Sequence, residues 1–155
     1  MIVPYSFFNG LPCDTTMATF PRTIETRIAT MSLVAPGFIE QRFQLGARID
    51  LAGFKENKEA RFALADGATC VMLSVIPKDM DFDVSITTVD HFGPERGNDT
   101  LQALAVVVQD NMSEMVAKLF FSYFPQVFRT KVMDNEDAAR LWLQQQIVEI
   151  ANAET

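Results

Sequence analysis

The chain has 155 residues, enough for one domain to bury a sizeable core. Its composition, 48% apolar and 21% charged, is the ordinary balance of a globular protein. A formal net charge of −7, with no basic run, argues against nonspecific binding to nucleic acid or to an anionic membrane, both of which rely on clustered Lys and Arg.

Thirteen Phe stand against one Trp and two Tyr. Such an excess serves either a Phe-packed core or an apolar ligand cavity or subunit interface. Cys13 and Cys70 sit far apart in unlike contexts. With no CxxC pair, neither a zinc site nor a thioredoxin-like redox motif is supported, and a reduced cytoplasmic compartment fits best. The stretch Met1 to Phe8 has no basic n-region and no long apolar core, so a signal peptide is not expected. No stretch approaches the roughly 20 apolar residues of a membrane span.

In chain order, residues 1–22 read as an appendage with three Pro and four aromatics (Tyr5, Phe7, Phe8, Phe20). They form either a docked arm or a disordered leader. Residues 23–150 read as a single domain. Thr23 to Val34 alternates as a strand. Ala35-Pro36-Gly37 turns the chain, and Phe38 to Gln44 returns as the second strand of a hairpin. Asp50 is the expected N-cap of a polar-rich helix from Leu51 to Ala65, with Phe54, Lys58, Arg61, Phe62 and Ala65 near one face. Gly53 weakens its start, and Asp66-Gly67 supplies a left-handed stop.

Ala68 to Ile76 is apolar on both faces, the pattern of a central strand covered on two sides. Residues 79–93 read as a short helix capped by Asp81 or Asp83, or alternatively as a strand, since Ile86-Thr87-Thr88 weakens helix propensity. Gly93 to Asn98 is a loop. Leu104 to Val108 is a buried strand. Asn111 is the expected cap of a helix reaching Phe124, with Glu114 completing a capping-box-like arrangement. Met112, Met115, Val116, Leu119, Phe120 and Tyr123 are its expected buried stripe. Phe128 to Met133 is strand-like, and Asp134 is expected to cap a final helix containing Leu141, Trp142 and Ile147. This alternation specifies an αβ layer structure.

Few constellations carry chemistry. Asp79, Asp81 and Asp83 alternate; on a strand they would share one face and could hold a hard cation, whereas a solvated loop with a helix cap is the plainer reading. His91 is the only histidine. Its neighbour Asp90 is poorly placed to orient it, so a surface or loop histidine is expected. Gly93-Pro94-Glu95-Arg96-Gly97 meets neither phosphate-cradling pattern, and no GxSxG elbow is present. Ser74 reads as buried rather than nucleophilic. Ser85 is the one hydroxyl considered for modification. The best interaction signal is apolar breadth on the helix before Pro125: Met115, Phe120, Phe121 and Phe124 cover more than one stripe. A symmetric subunit contact, a greasy ligand or burial by the N-terminal arm could each account for it.

The order hairpin, helix, apolar strand, short helix, strand, helix, strand, helix resembles the STAS superfamily, the fold of sporulation anti-sigma-factor antagonists. It looks more specifically like the uncharacterised STAS/SEC14-type relatives in bacteria. The strings carrying this are Phe38-Ile39-Glu40-Gln41-Arg42-Phe43 followed by Ile49-Asp50-Leu51, Leu73 in the apolar strand, and Ala103 to Val108 leading into Ala117-Lys118-Leu119-Phe120-Phe121. The ending Lys131-Val132-Met133-Asp134-Asn135-Glu136-Asp137-Ala138-Ala139-Arg140-Leu141-Trp142-Leu143 is the clearest. The resemblance implies a mixed sheet of four to five strands starting with a β-hairpin, helices mainly on one face, and protein–protein binding. The Asp-Ser-(Ser/Thr)-Gly-like phosphorylation motif of the antagonists is absent; Ile76 to Ser85 stands in its place. The resulting expectation is a cytoplasmic, non-enzymatic regulatory domain that needs no cofactor or metal and binds a protein partner or itself as a homodimer. The alternative is a binding module for a small apolar ligand or lipid; a small metal-dependent enzyme using Asp79, Asp81, Asp83 and His91 comes third.

Overall fold

In a computed structural model, the protein is described over residues 19–92 and 100–153. The expectations for residues 1–18 and for the loop from Gly93 to Asn98 lie outside the described residues.

The alternating run from Thr23 folds back on itself. It forms β1 (Arg22–Glu25) and β2 (Ala29–Ala35), which pair antiparallel. The turn between them contains no Gly, Pro or Asn. Thr26 holds it instead: its amide donates to the Ala29 carbonyl at 2.8 Å and its hydroxyl accepts from the Ala29 amide at 3.0 Å. The next helix pins it from outside, with the Arg27 amide on Glu56 at 2.9 Å and the Arg27 guanidinium on Asp50 at 2.6 Å. This extra hairpin corrects the expected strand number. The main sheet has six strands, not four or five.

β2 turns at Pro36-Gly37 into β3 (Phe38–Phe43), with Gly37 at φ +73°. From β3 onward the sheet is parallel: β3, β5 (Cys70–Ile76), β7 (Leu101–Val108) and β8 (Arg129–Met133) lie side by side. Between β3 and β5 run the two-residue strand β4 (Arg48–Ile49) and helix α1 (Leu51–Ala65). Between β5 and β7 run β6 (Asp81–Phe82), which pairs with β4 in a separate small sheet, and a 3₁₀ turn at Val84–Thr87. Helix α2 (Asn111–Tyr123) precedes β8, and α3 (Glu136–Ala153) ends the described chain.

All seven residues of β5 are buried, as a strand apolar on both faces requires. One face packs Met31, Ile39, Met72 and Leu104 against α1 (Ala60, Leu64) and α2 (Ala117). The opposite face packs Val71, Leu73, Val75, Ala105 and Val107 against Ala139 and Leu143 of α3. The helices therefore divide two to one, because β5 and β7 are apolar on both sides and one layer cannot cover both.

Local end signals decide the helices. Asp50 caps α1 by accepting from the Gly53 amide at 2.8 Å, and Asp66 ends it in the left-handed region at φ 49°. The two later caps each fall one residue from expectation. Asp110, not Asn111, caps α2, accepting from the Ser113 amide at 2.8 Å. Asn135, not Asp134, accepts from the Ala138 amide at 2.8 Å and begins α3. The start of α3 is tied to β3 by a cluster in which Arg42 pairs with Glu40 and Glu136, and Arg140 bridges the same two carboxylates.

Gly53 is more than a weak helix former. It faces Ile28, which is fully buried, and a Cβ at position 53 would fall 2.5 Å from Ile28 Cδ1. Replacing Gly by Ala inside a helix normally gains about 1 kcal/mol, whereas overpacking a core costs about 1–3 kcal/mol. Gly53→Ala is expected to destabilise the fold in urea titrations by about 1 kcal/mol. In an Ile28→Ala background, which vacates that space, the same substitution should become neutral or stabilising.

Candidate functional site

Between the sheet and helices α1 and α2 lies a cavity of about 100 Å³. Its floor follows from strand periodicity. Met72, Ser74 and Ile76 of β5 and Leu104 and Val106 of β7 point to this side, and Ser74 is the short residue in a row of long ones. On the adjoining strand, Gln41 sits in register with Ser74. Phe54, Asn57, Lys58 and Arg61 of α1 form one wall, and Ser113, Val116, Ala117, Phe120 and Phe121 of α2 form the other. The connection after β5 brings Phe82, Ile86, His91 and Phe92 over the space.

The buried polar residues of this wall form a directed chain. The Thr26 hydroxyl donates to Asn57 Oδ1 at 2.6 Å, Asn57 Nδ2 to Gln41 Oε1 at 3.0 Å, and Gln41 Nε2 to Ser74 Oγ at 2.8 Å. Ser74 therefore accepts, and its own proton has no acceptor among the described residues. This chain explains why α1 turns polar side chains inward. Its buried face is Gly53, Asn57, Ala60, Arg61, Leu64 and Ala65, not the expected set with Phe54, Lys58 and Phe62. The Arg61 guanidinium lies over the rings of Phe62 and Phe92, 5.0 and 5.6 Å from their centroids.

Ser113 is 1% exposed, and its hydroxyl makes no hydrogen bond of acceptable geometry. It stands near enough to Asp110 to favour that carboxylate without a bond of its own. The Asp110 carboxylate is held below its ordinary range chiefly by the Asp79 and Ser113 amides.

His91 lies in a loop, as expected, but half-buried rather than at the surface. Its ring stacks between Phe54, at 4.2 Å between centroids, and Phe120, at 5.0 Å. Nε2 lies 2.8 Å from the Ile86 carbonyl, which can only accept, so Nε2 carries the proton and Nδ1 the lone pair. Burial pushes the imidazole pKa below its usual value. Asp90 does not orient the ring; its carboxylate accepts from the Phe92 amide and from Gln126, both at 3.0 Å.

The other candidates from the sequence have separate tasks. Asp81 and Asp83 both pair with Arg48, at 2.7 and 3.2 Å. Asp83 also accepts from the amide and hydroxyl of Ser85, capping the 3₁₀ turn. Asp79 adopts φ 63° and gives its amide to Asp110 at 2.7 Å. The three carboxylates do not converge, and among the described residues no group of three His, Cys, Asp or Glu is placed to hold a metal ion.

On α2, Phe120 is buried, while Phe121 and Phe124 are half-buried. Phe120 packs against Phe121, Phe124 and His91. The buried face runs through Ser113, Ala117 and Phe120. Met112, Met115, Leu119 and Tyr123, expected inside, form an exposed stripe, with Met115 58% exposed.

Gln41, Asn57 and Ser113 went unrecognised as site residues in the sequence. A signal was present: Ser74 is the one polar residue of an apolar strand, and Gln41 stands at the inward position between Ile39 and Phe43; both need a buried partner.

A family model, the domain of unknown function DUF7793, matches residues 34–147, well over half of the chain, and the chain belongs to that family. Every cavity-lining residue named above falls within the matched segment. Neither the comparison with curated proteins nor that with solved structures gave a match. No helix among the described residues is long and apolar enough to cross a membrane.

A neutral His91 makes stability depend on pH. The unfolded imidazole binds a proton near pH 6.5, and the folded one only at lower pH. Stability from this group is therefore complete above about pH 6.5 and is lost below it, until the folded ring also protonates. Asp50, Asp83, Asp110 and Glu136, all depressed by their hydrogen-bond partners, lose their contributions in a separate window below about pH 4 to 5. Urea midpoints of His91→Phe should lack the decline that begins below about pH 6.5 in the parent, and keep the acid one.

Proposed function

We propose that this protein is a non-enzymatic binding module for a small apolar molecule held between the sheet and helices α1 and α2. The cavity carries this reading. Protein interiors are close-packed, with few voids larger than water. The lining here is mostly hydrocarbon, and a small apolar ligand would supply the dispersion contacts that the recess itself does not make. An apolar cavity of about 150 Å³ takes benzene; at about 100 Å³ this one holds one small ring at most. We also read the fold as STAS-like, on the order of its elements and the hairpin that opens its mixed sheet.

Toluene, titrated against the protein in a thermal-shift assay, should raise the melting temperature by a few degrees. Ala117→Leu, which puts side-chain carbon into the cavity, should abolish that shift while leaving the empty protein as stable or more so. A parent with no shift at saturating toluene, together with an overpacked and destabilised Ala117→Leu, would remove the reading.

The exposed stripe favours a second reading, self-association. Met112, Met115, Leu119 and Tyr123 recur at spacings of three, four and four, one continuous face of α2. Two copies could bury it against each other in an isologous contact. Light scattering should give a dimer for the parent and a monomer for Leu119→Glu; a parent monomeric at high micromolar concentration ends this reading.

A further inference from the structure

We propose that the cavity selects a ring-sized molecule carrying one hydrogen-bonding oxygen, the chemistry of a small phenol, and that Ser113 and Ser74 are the residues that recognise it. This rests on the reading of the cavity as a ligand site and names the class of ligand.

Three observations point the same way. The first is unspent hydrogen-bonding capacity. Ser113 Oγ is fully buried with no hydrogen bond of its own, and Ser113 lines the cavity. A buried hydroxyl without a partner is costly, and native structures rarely keep one. Ser74, also on the cavity, is the last acceptor of the Thr26–Asn57–Gln41 chain and keeps its own proton uncommitted among the described residues. Both hydroxyls therefore keep capacity for a polar atom of a ligand.

The second is the shape of the walls. His91 and Phe120 stack face to face, and Phe92 meets Phe120 edge to face at 6.4 Å. The lining is thus rich in aromatic rings, surroundings that suit an aromatic ligand. The third is volume: about 100 Å³ holds one small ring at most. Water alone is a poorer occupant, since a buried water needs two to four polar partners and most of this lining is hydrocarbon.

Phenol and toluene differ only by exchange of a hydroxyl for a methyl group, so the ratio of their affinities isolates the polar recognition. Calorimetric titration of the full chain should show that Ser113→Ala weakens phenol about 5–10-fold, the worth of one hydrogen bond, with toluene unchanged or tighter. Ser74→Ala should change the ratio in the same direction, and Ser113→Cys should lose phenol selectivity while preserving volume. Without ligand, Ser113→Ala should melt at the parent's temperature or above it, because it deletes an unpaired group. If toluene binds but the ratio is the same in parent and variants, the phenol inference is wrong and the apolar cavity stands. If neither compound binds the parent, the cavity reading itself has failed. A fall of several degrees in the ligand-free melting temperature of Ser113→Ala would show that the hydroxyl is already bonded, and would also overturn the inference.

Discussion

Strand β5 is buried along its whole length, and this double burial organises the molecule. A strand wet on one side can rest on a single layer of helices; a strand apolar on both sides needs two. The chain meets that demand unevenly. α3 alone closes one face, through Ala139 and Leu143, the latter fully buried. The other face receives α1 and α2, and between them the packing does not close. The cavity thus lies between α1 and α2, on the sheet face opposite the one that α3 covers.

The incomplete closure is polar on one side and apolar on the other. The chain from Thr26 to Ser74 satisfies Asn57 and Gln41 inside the protein, so their burial costs little. It also links the β1–β2 turn, α1, β3 and β5, elements far apart in sequence. Buried networks of this kind fix one arrangement of a core when every member is paired. The two serines at the edge of the space are where this accounting is left open.

Much of the fold was legible locally. α1 runs over the expected residues because both of its ends carry strong signals, Asp50 accepting at the start and Asp66 turning left-handed at the finish. β5 announced its position by being apolar at every step but Ser74. The missing strand was hidden because its turn carries no Gly, Pro or Asn and is held by Thr26 on Ala29 and, from outside, by Glu56 and Asp50 on Arg27. The face of α2 was misread because both sides of that helix are greasy: periodicity identifies a helix, but it cannot choose between Met115–Leu119 and Ala117–Phe120. The site was least legible. Its polar members are joined across 16 to 33 residues of sequence, and His91 gains its character from rings on α1 and α2 rather than from its neighbour Asp90.

The covering over the cavity is attached differently from its floor. Phe82, Ile86 and His91 belong to a connection whose ladder, among the described residues, is the two-residue pairing of β4 with β6, reinforced by Arg48 reaching Asp81 and Asp83 at the surface. Exposed ion pairs are weak and fade with added salt. The six-stranded sheet does not run through this segment. Two of the three carboxylates that first suggested a cation site, Asp81 and Asp83, instead fasten this covering to β4 through Arg48.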